Sequence, residues 1–209
     1  MYELERLTAA AMAQLLDRGV SVAVVPFGSI EHHDGHLPLG TDALLADAIG
    51  REVAGRLGAV LAPTQRIGDA DRHADLAGTL TLGGATLTDV AVAIAHSLAR
   101  QRFTLIVLLS THGGNLPALR TAVAQLDGAL PHGALAYAPQ GDVGPDAGAH
   151  SGAWVTSVML ALHPTLVDVQ AADQHLAAEL RSASAERGRE HLERFVASVV
   201  RDVQSRVAP

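Results

Sequence analysis

Gly28 to Asp42 reads GSIEHHDGHLPLGTD, which places one Glu, three His and two Asp within fifteen residues, directly behind the apolar run SVAVVPF. In an extended turn, side chains two apart share a side, so Glu31 and His33 can face one point while His32 turns away. Asp42, at the start of the next helix, can swing back across the same turn. A second turn, Thr111 to Asn115 (THGGN), follows the run FTLIVLLS and adds His112. Two carboxylates and two imidazoles form a mixed N/O donor set suited to Zn, Mn or Fe, not to Ca or Mg. The competing reading is a structural histidine turn in which these groups only satisfy one another.

A divalent ion held there would lower the pKa of a bound water from about 15.7 to about 7, which suits hydrolysis of an amide-like bond. The departing nitrogen then needs a proton carrier. His150, in AHSGAW at a helix entrance, is the candidate; its alternative role is a solvent-facing helix-cap histidine. Asn115 either orients substrate or bonds the backbone, and His73 is expected to line the pocket from a polar loop. Trp154, the single Trp, is either a pocket wall for a flat substrate or core packing at a helix start. Ser29 lacks the second glycine of a nucleophile elbow, and GHLPLGTD lacks the glycine spacing and the Lys of a phosphate loop.

Composition removes other chemistries. The 209 residues contain no Cys, which excludes disulfides, thiolate zinc sites and cysteine nucleophiles. All fifteen cationic side chains are Arg, which excludes a Schiff-base or P-loop lysine. A net charge of -7 with no basic run and few aromatics argues against nucleic acid. No apolar run approaches the roughly 20 residues that span a bilayer, and MYELERL lacks a signal-peptide pattern, so a cytoplasmic protein without membrane contact is expected.

The elements that would position these residues alternate. Thr8 caps a first helix; Val20 to Phe27 is a buried strand; Thr41 or Asp42 opens an Ala/Leu-rich helix ending at Gly58; Ala59 to Pro63 is a short strand. Thr86 to Gln101 is helical by the spacing of Leu87, Val90, Ala91, Ile94 and Leu98, and Phe103 to Ser110 is the clearest buried strand. A helix from about Pro117 to Leu126, a strand at Ala134 to Ala138, a loop over 139–149 and a helix from Ser151 to Leu162 follow. The tail, about 173–207, reads as one amphipathic helical segment for packing or oligomer contact. This order predicts a single α/β domain over 1–209, a three-layer α/β/α sandwich on a mainly parallel sheet. Ligands gather at the carboxyl ends of such strands, where both turns fall.

GSIEHHDGHLPLGTD resembles the creatininase-family signature G-S-x-E-Q-H-G-P-H-L-P-L-x-T-D. In order after it, GDADRHADLAGTLTLG is similar to the family's G-x-S-x-E-H-x-x-F-x-G-T-L-T-L, STHGGN to N-G-H-G-G-N, and HSGAWVTSVML to H-A-G-x-x-E-T-S-x-M-L. The resemblance implies a metal-dependent amidohydrolase that cleaves a cyclic amide, formamide or peptide C–N bond of a small-molecule substrate, often as a homo-oligomer. It implies that Glu31, Asp42 and His112 hold one ion, that His33 and a bridging Asp42 begin a second, and that His150 shuttles a proton. Family members complete the second ion with a Glu at one of two positions, which here are Gly114 and Val155. Asp34, Asp69, Asp71 or Asp146 could replace it, one ion could suffice, or the chain could bind a metabolite or partner without hydrolysis.

Overall fold

Two apolar runs with side chains alternating between two layers build the centre of the molecule. In the computed structural model, which describes residues 1–139 and 150–207, β2 (Val22–Phe27) sends Ala23, Val25 and Phe27 to one face and Val24 to the other. β4 (Leu105–Ser110) does the same, with Ile106 and Leu108 on the first face and Leu105, Val107 and Leu109 on the second. A strand buried on both faces has no polar side, which is why these runs read as continuous hydrophobics.

Flanking this pair lie β3 (Val60–Leu61) and then β1 (Tyr2–Glu3) beside β2, and β5 (Ala134–Tyr137) beside β4, giving a five-stranded sheet of order β1-β3-β2-β4-β5. Every strand pairing is parallel. On one face pack α1 (Ala9–Asp17), α3 (Gly84–Ala99) and α4 (Leu116–Gln125). On the other pack α2 (Thr41–Leu57), α5 (Ala153–Leu162) and α7 (Ala185–Val207). The architecture is therefore the expected three-layer α/β/α sandwich. Among the described residues no helix is long and apolar enough to cross a membrane.

Local signals set the helix ends. The Thr8 hydroxyl accepts from the Ala11 amide at 3.2 Å, and Gly58 closes α2 in the left-handed region at φ 61°. Two features differ from expectation. The two-residue strand β1 is too short to show a period. The tail is two helices: the short α6 (Ala177–Leu180) is separated from α7 because Ser184 starts a new helix, its hydroxyl accepting from the Arg187 amide at 3.2 Å. The expected loop over 139–149, with Asp146, lies outside the described residues except for Pro139.

The topology positions the site. The chain leaves β2 through α2 toward β3 on one side, and leaves β4 through α4 toward β5 on the other. The gap between β2 and β4 is thus where the strand order reverses. Phe27 pairs with Ser110 at the carboxyl ends of these strands, so Gly28 and Thr111 start their turns side by side.

Candidate metal centre

Glu31, fully buried, is the centre of an imidazole cluster. Its Oε1 lies 2.9 Å from His112 Nδ1, 3.7 Å from His150 Nδ1 and 4.0 Å from His33 Nε2, and its Oε2 lies 3.0 Å from His73 Nδ1. Asp42, in the first turn of α2, brings Oδ2 within 3.2 Å of His112 Nδ1 and Oδ1 within 3.7 Å of His33 Nε2. His32 turns its ring toward the Asp34 amide instead.

Backbone carbonyls fix which ring nitrogen carries hydrogen. A carbonyl oxygen only accepts, so each imidazole nitrogen facing one must donate and the other nitrogen keeps its lone pair in the neutral ring. His112 Nε2 donates to the Asp69 carbonyl at 2.8 Å, His33 Nδ1 to that of Glu31 at 3.2 Å, and His150 Nε2 to that of His32 at 2.7 Å. The nitrogens left free point at the carboxylates. Glu31 Oε1 and Asp42 Oδ2 are buried and, although His112 Nδ1 is near both, neither receives an aligned hydrogen bond.

Electron pairs thus converge on one small volume that must contain a positive charge. Glu31, Asp42 and His112 fit a divalent ion by chemistry and by spacing, as do Glu31, His33 and His150. Without a cation, His112 supplies the charge. Burial opposes its protonation, but Asp42 and Glu31 outweigh burial and push its pKa up to about 10. Burial likewise raises the Glu31 carboxyl, yet the facing His112 imidazole and then His73 hold it well below the usual carboxylate range. His150 moves down, first through burial and then through the neighbouring His33.

The turns are locked from behind. The buried Asn115 donates to the Gly28 carbonyl at 2.9 Å and to Ser110 Oγ at 3.2 Å, and accepts from the Asp69 amide at 2.8 Å. Its amide is consumed in tying three segments together, and Asn115 is absent from the pocket wall. Thr111 donates to the Asp42 carbonyl at 2.6 Å. In front, a cavity of about 530 Å³ opens onto the cluster, walled by His73, His150, Trp154 and Val155 among others. Trp154 is 3% exposed, lining this cavity and also packing in the core behind α5.

Sequence reading gave His73 only a lining role, whereas the structure pairs it with Glu31. It named Asp69 only as a replacement carboxylate, whereas the Asp69 backbone carbonyl is what meets His112 Nε2. The available signal was glycine: a Cβ at Gly114 would overlap His112 Nε2 and the Asp69 carbonyl, and one at Gly68 would overlap Asn115 Oδ1. Of the carboxylates expected to replace the missing Glu, Asp34 faces His175 at 3.9 Å, Asp69 Oδ1 faces the Asp71 amide and Asp71 Oδ1 accepts from Thr81 at 2.7 Å.

The parallel α/β/α sandwich thus carries a carboxylate–imidazole cluster where its strand order reverses. The family model described as Creatininase, creatinine amidohydrolase, matches residues 5–198, and the chain belongs to the creatininase family. It is 38% identical over 154 residues to the mycofactocin precursor peptide peptidase of Mycobacterium ulcerans (strain Agy99), covering 69% of this chain and 59% of that protein. It is 31% identical over 188 residues to the creatinine amidohydrolase of Pseudomonas putida, covering 75% and 70%. The solved structure described as "Creatininase Mn" superposes with a TM-score of 0.83 at 25% identity, covering 99% of each chain. The chain thus spans about three-fifths of the length of the mycofactocin peptidase it matches.

Proposed function

We propose that this protein is a metal-dependent amidohydrolase acting on a C–N bond of a small polar substrate, with Glu31, Asp42 and His112 as the principal ion ligands and His33 beside them. The observation that carries the reading is the convergence of Glu31 Oε1, Asp42 Oδ2 and His112 Nδ1 on one buried point. A divalent ion there supplies an acidified water and polarises the scissile carbonyl. The chain's residues do the rest. Asp69 and Asn115 hold His112 in one orientation, and Trp154 and Val155 shield one side of the cavity from water. The proton for the departing nitrogen comes from the imidazoles facing the cavity, where His150 and His73 stand with ring centroids 4.4 Å apart.

Substrate size is bounded by the cavity of about 530 Å³, which suits a cyclic amide, a formamide or the end of a peptide. The relatives named for creatinine and for a precursor peptide support the same bond class. The homo-oligomer and cytoplasmic setting belong to this proposal, and light scattering on the purified protein checks the first. To test the activity, elemental analysis and a panel of amides are run on wild type, Glu31→Gln and His112→Gln. Stoichiometric metal and amide turnover, both lost in the variants, are expected; hydrolysis persisting in a chelated, metal-free enzyme would refute the reading.

A second reading rests on Gly114 and Val155, neither of which can ligate a cation by its side chain. It makes the chain a non-hydrolytic family member that binds a metabolite or partner at this edge. Protein that folds normally, takes up no metal and turns over no amide would favour it.

A further inference from the structure

A lone pair beside Glu31 is left over after the first ion's ligands are assigned. His150 Nε2 is committed to the His32 carbonyl at 2.7 Å, so its Nδ1 carries the lone pair and faces Glu31 Oε1 at 3.7 Å. His33 is arranged in the same way, with Nδ1 committed to the Glu31 carbonyl and Nε2 facing Glu31 Oε1 at 4.0 Å and Asp42 Oδ1 at 3.7 Å. The rings lie 4.6 Å apart by centroid, and one ligand atom from each of Glu31, His33 and His150 falls within 4.8 Å of the others. Ligands about 2.0–2.2 Å from a common ion stand about 3–4 Å apart, and the Glu31–His150, Glu31–His33 and Asp42–His33 separations of 3.7, 4.0 and 3.7 Å approach that spacing.

We propose that His150 stands in for the carboxylate lacking at positions 114 and 155. Its Nδ1, His33 Nε2 and Asp42 Oδ1 then form a second cation site beside the first, with Glu31 Oε1 shared between the two. The inference rests on the metal-hydrolase reading above and deepens it. Among the described residues, which do not include Asp146, none of the other candidate replacement carboxylates falls in a ligand group with Glu31. Asp34, Asp69 and Asp71 are directed at other partners, and a side chain at 114 would collide with the hydrogen bond that orients His112. Two imidazoles and two carboxylate oxygens form a neutral-plus-anionic set suited to Zn, Co or Mn. A nitrogen bound to a cation carries no proton, so this assignment leaves His73 as the proton carrier. Asp42 then bridges, with Oδ2 toward the His112 side and Oδ1 toward the His33 side.

The test counts ions in the whole chain. Protein stripped with chelator is titrated with cobalt(II), followed by visible ligand-field absorption, and the bound metal is counted by mass spectrometry. Two equivalents per chain are expected for wild type and one for His150→Ala and for His33→Ala. His150→Gln with native circular dichroism serves if the alanine variant misfolds, and is also expected to hold one. One equivalent in wild type, or two retained without the His150 imidazole, overturns the second site and leaves the first intact. No stoichiometric ion in wild type overturns both readings.

Discussion

A divalent ion held at the proposed first site would compete with a proton for His112 Nδ1, and the competition can be measured. In cation-free protein His112 has a pKa of about 10, so at pH 8 it is about 99% protonated, whereas an imidazole at the ordinary value of about 6.5 is about 3% protonated. An ion that takes Nδ1 must expel that proton. Binding of the ion that takes His112 should therefore release about one proton at pH 8, and its affinity should tighten about tenfold per pH unit, near 1.4 kcal/mol, between pH 7 and pH 9. The assay is calorimetric titration of metal-free protein in buffers of differing ionisation enthalpy, where the slope of observed heat against that enthalpy counts protons. Manganese is the titrant of choice, because zinc would acidify its own water to about 7 and add to the count. His112→Gln should abolish the release and flatten the pH dependence. Tight binding with no proton released at pH 8 would show that the ion does not use His112, and the assignment of the first site would be wrong.

Other outcomes follow from the same geometry. The raised pKa of His112 stabilises metal-free protein fully below about pH 6.5, and that contribution is lost as pH rises through about 10; chemical denaturation at pH 6, 8 and 10 should show the decline, and saturating metal should remove it. Glu31 acts in the opposite sense, contributing above its ordinary value and losing that contribution in acid. Asn115→Ala strands the Gly28 carbonyl and the Asp69 amide in the interior and should cost at least about 3 kcal/mol in urea unfolding. Gly114→Ala pushes on the Asp69–His112 hydrogen bond and should weaken metal binding about ten- to a hundredfold by calorimetry, with little change in the circular dichroism spectrum. Gly188→Ala places a methyl against the Ser157 carbonyl where α7 crosses α5, and should lower stability by about 2 kcal/mol without touching the cluster.

The layers were legible because buried parallel strands and amphipathic helices write different periods into a chain. FTLIVLLS reads as the clearest buried strand by its length and branched residues, and Leu87, Ala91 and Leu98 fall on one helical face. The tail was less legible: the spacing on either side of Ser182–Ser184 is helical throughout, and the break comes from serine hydroxyls bonding the backbone, a competition that periodicity does not register.

Within the site, legibility followed side-chain chemistry and stopped where the backbone took over. Glu31, His33, Asp42 and His112 are marked by type and by position after a strand, and strand register carries His112 to 2.9 Å from Glu31. Whether a histidine offers a proton or a lone pair cannot be seen in its letter. That choice is made by the carbonyls of Glu31, His32 and Asp69, each of which takes the hydrogen from one ring nitrogen and leaves the other free. Gly114 and Val155 therefore look like losses in the sequence. In the fold, Gly114 is the space through which the Asp69 carbonyl reaches His112, and Val155 lies beside a histidine already turned toward Glu31. A missing ligand can be judged only against the lone pairs that the surrounding backbone leaves free.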